Sequence, residues 1–173
     1  MKNSKLSRLL LAAMLLALAQ VLPFLTGQVP QIGNLLCPMH IPVLLCGYLC
    51  GIWYGLAVGF LAPLLRFVLF GAPPIMPIGI AMCFELATYG GVSALLYRVL
   101  PGKKRYLYVS LIGAMVVGRI VWGLVRGILY GLGKAPFGWP AFLAGAVTNA
   151  IPGIVLQLVL IPILMMTRSK VAK

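Results

Sequence analysis

The chain has 173 residues, of which 62% are hydrophobic and only 9% charged. A soluble domain of that length cannot hide so much apolar surface, which indicates an all-α integral membrane bundle of roughly six spans of about 20 residues. The net charge of +13 does not signal nucleic acid, because the basic residues are dispersed between apolar runs rather than gathered on one folded face.

In chain order, the basic start, the run LLLAAMLLALA and the Ala-x-Ala at Ala17 and Ala19 look like a secretory signal peptide. The apolar run continues from Val21 to Leu25 and further spans follow, so a retained first span from about Leu6 to Leu25 is expected. An uncharged outer loop, TGQVPQIGN, comes next. Residues 35–71 then contain one charge, Arg66, a lone His40, and glycines at Gly47, Gly51, Gly55 and Gly59. As one straight helix they would reach roughly 55 Å, against a bilayer core of about 30 Å. The stretch is therefore expected to fold back at Ile52-Trp53-Tyr54-Gly55, with a second span going in from about Leu35 and a third returning to about Phe70. Glycines four apart remove the side chains that keep helices separated, so they predict close packing of this pair.

GAPPIMP reads as an outer loop in which Pro77 suits the first turn of a fourth span, about Pro77 to Leu96. The basic loop YRVLPGKKR separates it from a fifth span, about Tyr106 to Leu132. After the outer loop GKAPFGWP, a sixth span runs from about Trp139 to Met166, ahead of a basic tail. One domain over residues 1–173 leaves no room for a separate nucleotide-binding fold.

Orientation follows from charge. Ten of the 14 Lys and Arg residues fall in three clusters: Lys2, Lys5, Arg8; Arg98, Lys103, Lys104, Arg105; and Arg168, Lys170, Lys173. Lys134 alone lies outside, and Arg66, Arg119 and Arg126 fall within spans. This bias puts both termini in the cytoplasm, where anionic lipid headgroups are sufficient partners for the clusters. Cys37, Cys46, Cys50 and Cys83 all sit in apolar runs, where Cys behaves as a small hydrophobe, and no metal site or cofactor is expected.

Charges inside a bilayer are costly unless paired or hydrated, so each is a functional candidate. By helix rise, His40 and Arg66 lie about 7 Å below the outer end, Glu85 about 12 Å and Asn149 about 15 Å. Arg119 and Arg126, seven apart, share a face of the fifth span. Five spans thus send polar groups into the outer half while the inner half receives almost none, which implies an outward-facing pocket. Glu85 is the only acid and can neutralise one arginine, Arg119 or Arg66. A carboxylate ligand would supply the missing charge, and the planar fork of arginine suits it. Snorkelling to headgroups is the other reading for Arg66 and Arg126. A lone His such as His40 is more often a hydrogen-bonded structural residue than a ligand contact. Pro152 removes the donor to the Thr148 carbonyl, so a kink is expected beside Asn149, whose amide would face a substrate or a neighbouring helix. Trp122 and Trp139 offer stacking surfaces, although Trp139 also fits the interfacial belt. The candidate substrate-binding set is His40, Arg66, Glu85, Arg119, Trp122, Arg126 and Asn149. One Glu, one His and no Asp supply no catalytic arrangement, so an enzyme is not expected.

The first span also carries Ala13 and Ala17, a small-xxx-small pair that makes a smooth face for another helix. Together with the segment MHIPVLLCGYLCGIWYGLAVGF, these features resemble the substrate-binding S component of an energy-coupling-factor (ECF) vitamin transporter. Met39-His40-Ile41-Pro42 looks most like members assigned to pantothenate. The resemblance implies a bacterial-type plasma-membrane subunit that captures a vitamin from outside and docks through Ala13 and Ala17 on a transmembrane T component. Two separate ATPase subunits would then power a reorientation that releases the vitamin inside. The absence of a G-x-x-x-x-G-K-[ST] phosphate loop agrees with energy from another subunit. The alternative is a self-sufficient small secondary transporter working as a homodimer, in which proton coupling would rest on Glu85 alone.

Overall fold

A computed structural model describes residues 5–26, 36–101, 104–132 and 151–171. Among these, the chain forms α1 (Lys5–Val21), a 3-10 turn (Leu22–Thr26), α2 (His40–Cys50), α3 (Ile52–Phe70), α4 (Ile80–Val99), α5 (Lys104–Leu132) and α6 (Ile151–Val171). Four helical stretches are long and apolar enough to cross a membrane: Lys5–Phe24, Ile52–Phe70, Ile75–Val99 and Arg105–Gly131. His40–Cys50 and Ile151–Thr167 are shorter apolar helices; the first, at 1.5 Å per residue, reaches only about 16 Å.

α4 is the central element and packs against α2, α3 and α5, while α1 lies on α2 and α3, and α6 touches α2 and α5. The outer surface is apolar in the manner of a lipid-facing wall. Along α5, Ile112, Val116, Ile120, Leu124 and Ile128 stand exposed at intervals of four, one continuous stripe. The buried set includes Glu85, His40 and Arg66, at 2%, 4% and 7% exposure. A greasy outside around a partly charged inside is the distribution a bilayer selects, and the chain is a multi-pass membrane protein.

The fold-back occurs one residue before the expected turn. Gly51 has φ +101° and ψ −179°, a conformation open essentially to glycine alone. Its amide closes α2 on the Gly47 carbonyl, and its carbonyl accepts the Gly55 amide that opens α3. Gly51 is therefore a hinge residue and not part of a packing ladder. The other three glycines do pack, chiefly against α4. A Cβ on Gly55 would lie 2.8 Å from the Gly90 carbonyl carbon, and one on Gly59 would lie 2.5 Å from that of Leu86. The backbones of α3 and α4 thus cross at van der Waals distance, the contact small residues permit.

Pro77 sits in an irregular turn, Ile75–Gly79, and α4 starts only at Ile80. Its ring and missing amide are accommodated before the regular helix rather than within its first turn. At the opposite end of the bundle, the Tyr48 hydroxyl lies 3.1 Å from Ser110 Oγ, with the Tyr97 ring edge-on to Tyr48 at 5.2 Å. The half expected to be almost free of polar groups therefore buries neutral ones. Pro152 lies in the first described turn of α6; Asn149, Trp139 and Lys134 fall outside the described residues.

Candidate functional site

α4 and α5 run antiparallel, and small residues set their register. A Cβ at Gly118 would come within 2.6 Å of the Tyr89 ring, so the absence of a side chain lets α5 press against that ring. One residue further along α5, the Arg119 guanidinium reaches α4: Nη1 lies 2.9 Å from Glu85 Oε1. Of the two arginines that the sequence left open as partners of Glu85, Arg119 takes it. One turn outward, Trp122 packs against Ala81, and Arg126 follows.

α2 contributes the third wall. The Cys37 carbonyl accepts the His40 amide at 3.1 Å, a turn that starts α2 at His40. The His40 ring stands edge-on to Tyr89 with centroids 5.0 Å apart, and Nε2 lies 3.5 Å from Glu85 Oε1. Cys37 has φ +47°, unusual for a residue with a Cβ, and its Sγ accepts a hydrogen bond from Arg119 Nη2 at 3.7 Å. Cys37 and Tyr89 therefore belong to the cluster, which the sequence reading did not include. The signals were present: Cys37 is three residues before His40, and Tyr89 is one helical turn after Glu85 on the same face.

Charge and hydrogen-bonding capacity can be stated separately. Glu85 and Arg119 carry opposite charges 2.9 Å apart, and Arg126 lies two helical turns further along α5, about 10 Å by helix rise. His40 Nδ1 and Arg119 Nε are buried without a hydrogen-bond partner among the described residues. Buried polar atoms in native proteins are nearly always satisfied, so this cluster holds unused donor or acceptor capacity. Arg126 lies over the Trp122 ring at 4.9 Å and the Tyr130 ring at 5.4 Å, and its Nη2 donates to the Tyr130 hydroxyl at 3.4 Å. Two rings four residues before and after it hold the guanidinium in place along α5.

Arg66 is elsewhere. Its Nη1 donates to the Gln20 carbonyl at 3.2 Å, and its guanidinium lies over Phe24 at 5.7 Å and Phe70 at 5.4 Å. The structure thus brings together His40, Glu85 and Arg119, while Trp122 and Arg126 meet each other further along α5 and Arg66 belongs to a separate group between α1 and α3. Of the three arginines in the spans, Arg66 is buried, and Arg119 and Arg126 are part-buried. On α1, Ala13 and Ala17 are both exposed, opposite the packed face of Ala12, Leu15 and Ala19.

Among protein-family models, the chain matches the ECF transporter substrate-specific component over residues 7–165. No curated protein and no solved structure matches it. The matched segment reaches into every helix described above and includes His40, Glu85 and Arg119, and the chain belongs to this family: it is a substrate-specific subunit of an ECF transporter, not an enzyme.

Proposed function

We propose that this subunit captures a small anionic vitamin, pantothenate foremost, in a site formed by His40, Glu85, Arg119, Trp122 and Arg126, with Asn149 added from the sequence. The observation that carries the reading is the buried Glu85–Arg119 pair with His40 at 3.5 Å, with a further arginine, Arg126, two turns along the same helix in a chain that has a single acid. A site with one net positive charge, walled by aromatic rings, favours a ligand with one carboxylate and an apolar body. Glu85 keeps Arg119 oriented and offers acceptor capacity to ligand hydroxyl or amide groups, while Arg126 takes the carboxylate.

In this reading the chain is a single bundle of six spans with both termini cytoplasmic in a bacterial-type plasma membrane. Lys5, Arg8, Arg98 and Arg105 support that orientation, since they stand at the start of α1, the end of α4 and the start of α5. The exposed Ala13 and Ala17 provide the docking face for a T component, which two ATPase subunits energise.

Calorimetry on the purified full-length protein tests the ligand claim. Saturable one-site binding of pantothenate without ATP is expected, at least about tenfold tighter than its uncharged alcohol analogue, a difference of about 1.4 kcal/mol. Arg126→Ala should weaken pantothenate by about 1.5–3 kcal/mol, the scale of a charge-assisted bond. Equal affinity for acid and alcohol, or an unchanged Kd in Arg126→Ala, would remove the anion from the proposal.

A further inference from the structure

We infer that Arg66 and Gln20 form a latch that ties the outer ends of α1 and α3 together, making Arg66 a positioning residue for the mouth of the site and not a receptor for the ligand's charge. The chain creates the need for it locally. Beyond Val21 the helix tightens into a 3-10 turn, Leu22–Thr26, in which each carbonyl bonds the amide three residues on. Gln20 lies in the last turn of α1, where the final four carbonyls have no intrahelical partner, and Pro23 beyond it brings no amide to this end. Arg66 supplies the missing donor at 3.2 Å. In return the Gln20 side-chain amide donates to the Ala62 carbonyl of α3 at 3.0 Å, one turn before Arg66. Each helix thus lends a side chain to the other's backbone.

The latch also answers the charge. α1 and α3 run in the same direction, because α2 returns between them, and Phe24 and Phe70 at their ends meet edge-on at 5.0 Å. Both carboxyl ends therefore face Arg66, which lies in the last turns of α3. Each helix end carries about half a negative charge, so together they offset about one guanidinium. The two rings add cation–π contact on the flanks. A buried arginine accommodated in this way requires no external anion.

Its position gives the latch its role. The connection leaving the tied end of α3, residues 71–79, leads into α4 and to Glu85. Holding the ends together fixes where that wall of the site begins.

Hydrogen exchange on the full-length protein in lipid nanodiscs tests the latch without any ligand. Arg66→Met should accelerate exchange at least about tenfold in both residues 20–24 and 66–71 while the amides around Glu85 and Arg119 keep their protection. Arg66→Lys, which retains the charge and a donor, should restore most of it. Gln20→Leu breaks one of the two bonds without touching charge and should show the same paired signature at smaller size; it carries the test if Arg66→Met does not fold. A second arm rests on the ligand proposed above: in Arg66→Met, labelled pantothenate should dissociate faster yet remain preferred over its alcohol analogue. Unchanged exchange in residues 20–24, or loss of the acid-over-alcohol preference, would overturn the latch. If pantothenate does not bind the unaltered protein, the ligand assignment fails and the exchange result alone decides this inference.

Discussion

Arg119 and Arg66 carry the same charge into the same bundle, and their surroundings neutralise it by different means. Arg119 meets a carboxylate 2.9 Å away on a neighbouring helix. Arg66 meets a carbonyl, two helix ends and two phenylalanine rings. The first arrangement leaves buried nitrogen atoms without partners among the described residues and shares its helix with a further cation. The second uses its charge on diffuse backbone dipoles. Residue type is the same in both, so it does not identify a binding arginine in a membrane. What separates them is the neutralising group, a carboxylate across a helix interface for Arg119 and a backbone carbonyl with two rings for Arg66; buried polar atoms without partners among the described residues occur in both, at Arg119 Nε and at Gln20 Oε1.

The strongest way to break this contrast is to remove the carboxylate. Glu85→Ala leaves Arg119 buried with no counter-charge, and the loss of one partner of a buried pair costs about 3–5 kcal/mol. The double variant Glu85→Leu/Arg119→Met removes both charges and should recover most of that stability, because paired apolar replacements of such bridges are often neutral. SDS-induced unfolding in detergent micelles measures both. If Glu85→Ala is as stable as the unaltered protein, Arg119 is hydrated or otherwise balanced, and the distinction from Arg66 collapses.

The crossing of α3 and α4 joins the helix of Arg66 to the helix of Glu85, so it is the second place to press. A Cβ on Gly90 would fall 2.6 Å from the Gly55 carbonyl carbon and 2.9 Å from its Cα. Those are backbone atoms with no rotamer to escape into. Gly90→Ala should therefore cost about 1–3 kcal/mol by overpacking, whereas Gly131→Ala, with nothing within 4 Å, should leave unfolding unchanged or slightly improved. Equal effects would mean that the helices part easily and that the two charge centres are mechanically independent.

How much of this could be read beforehand follows from what kind of group does the work. Hydropathy and length mark the apolar helices, and charge depth groups His40, Arg66, Glu85, Arg119 and Arg126 without setting Arg66 apart. The partner of Glu85 stayed open between Arg119 and Arg66, because rise along a helix gives depth but not which neighbour a face meets. The turn was placed at residues 52–55 instead of Gly51, since four equally spaced glycines carry no mark of which one takes positive φ. The partners of Arg66 were missed for a different reason: backbone carbonyls have no letter in a sequence. Pro23 was the available clue, because a proline just past the end of a helix brings no amide to the carbonyls of its last turn. Cys37 read as packing alone, and nothing in its spacing announces the backbone twist that turns its sulfur toward Arg119.

The smallest effect sharpens the comparison at Arg126, which has features of both arginines: it shares α5 with Arg119 as a candidate ligand group, yet it is steadied by rings as Arg66 is. Tyr130→Phe keeps the ring at its 5.4 Å stacking position and removes only the hydroxyl. The hydrogen bond it accepts from Nη2 is long, at 3.4 Å, so its loss should weaken pantothenate binding by about 0.5 kcal/mol, the low end for such bonds. Tyr130→Leu removes the ring as well and should add about 0.5–1 kcal/mol, the value of a cation–π contact open to solvent. That ordering follows only if the rings set where the guanidinium waits for a carboxylate. A larger loss from Phe than from Leu would make the hydroxyl itself a ligand contact, and Arg126 would then be its neighbour and not the receptor.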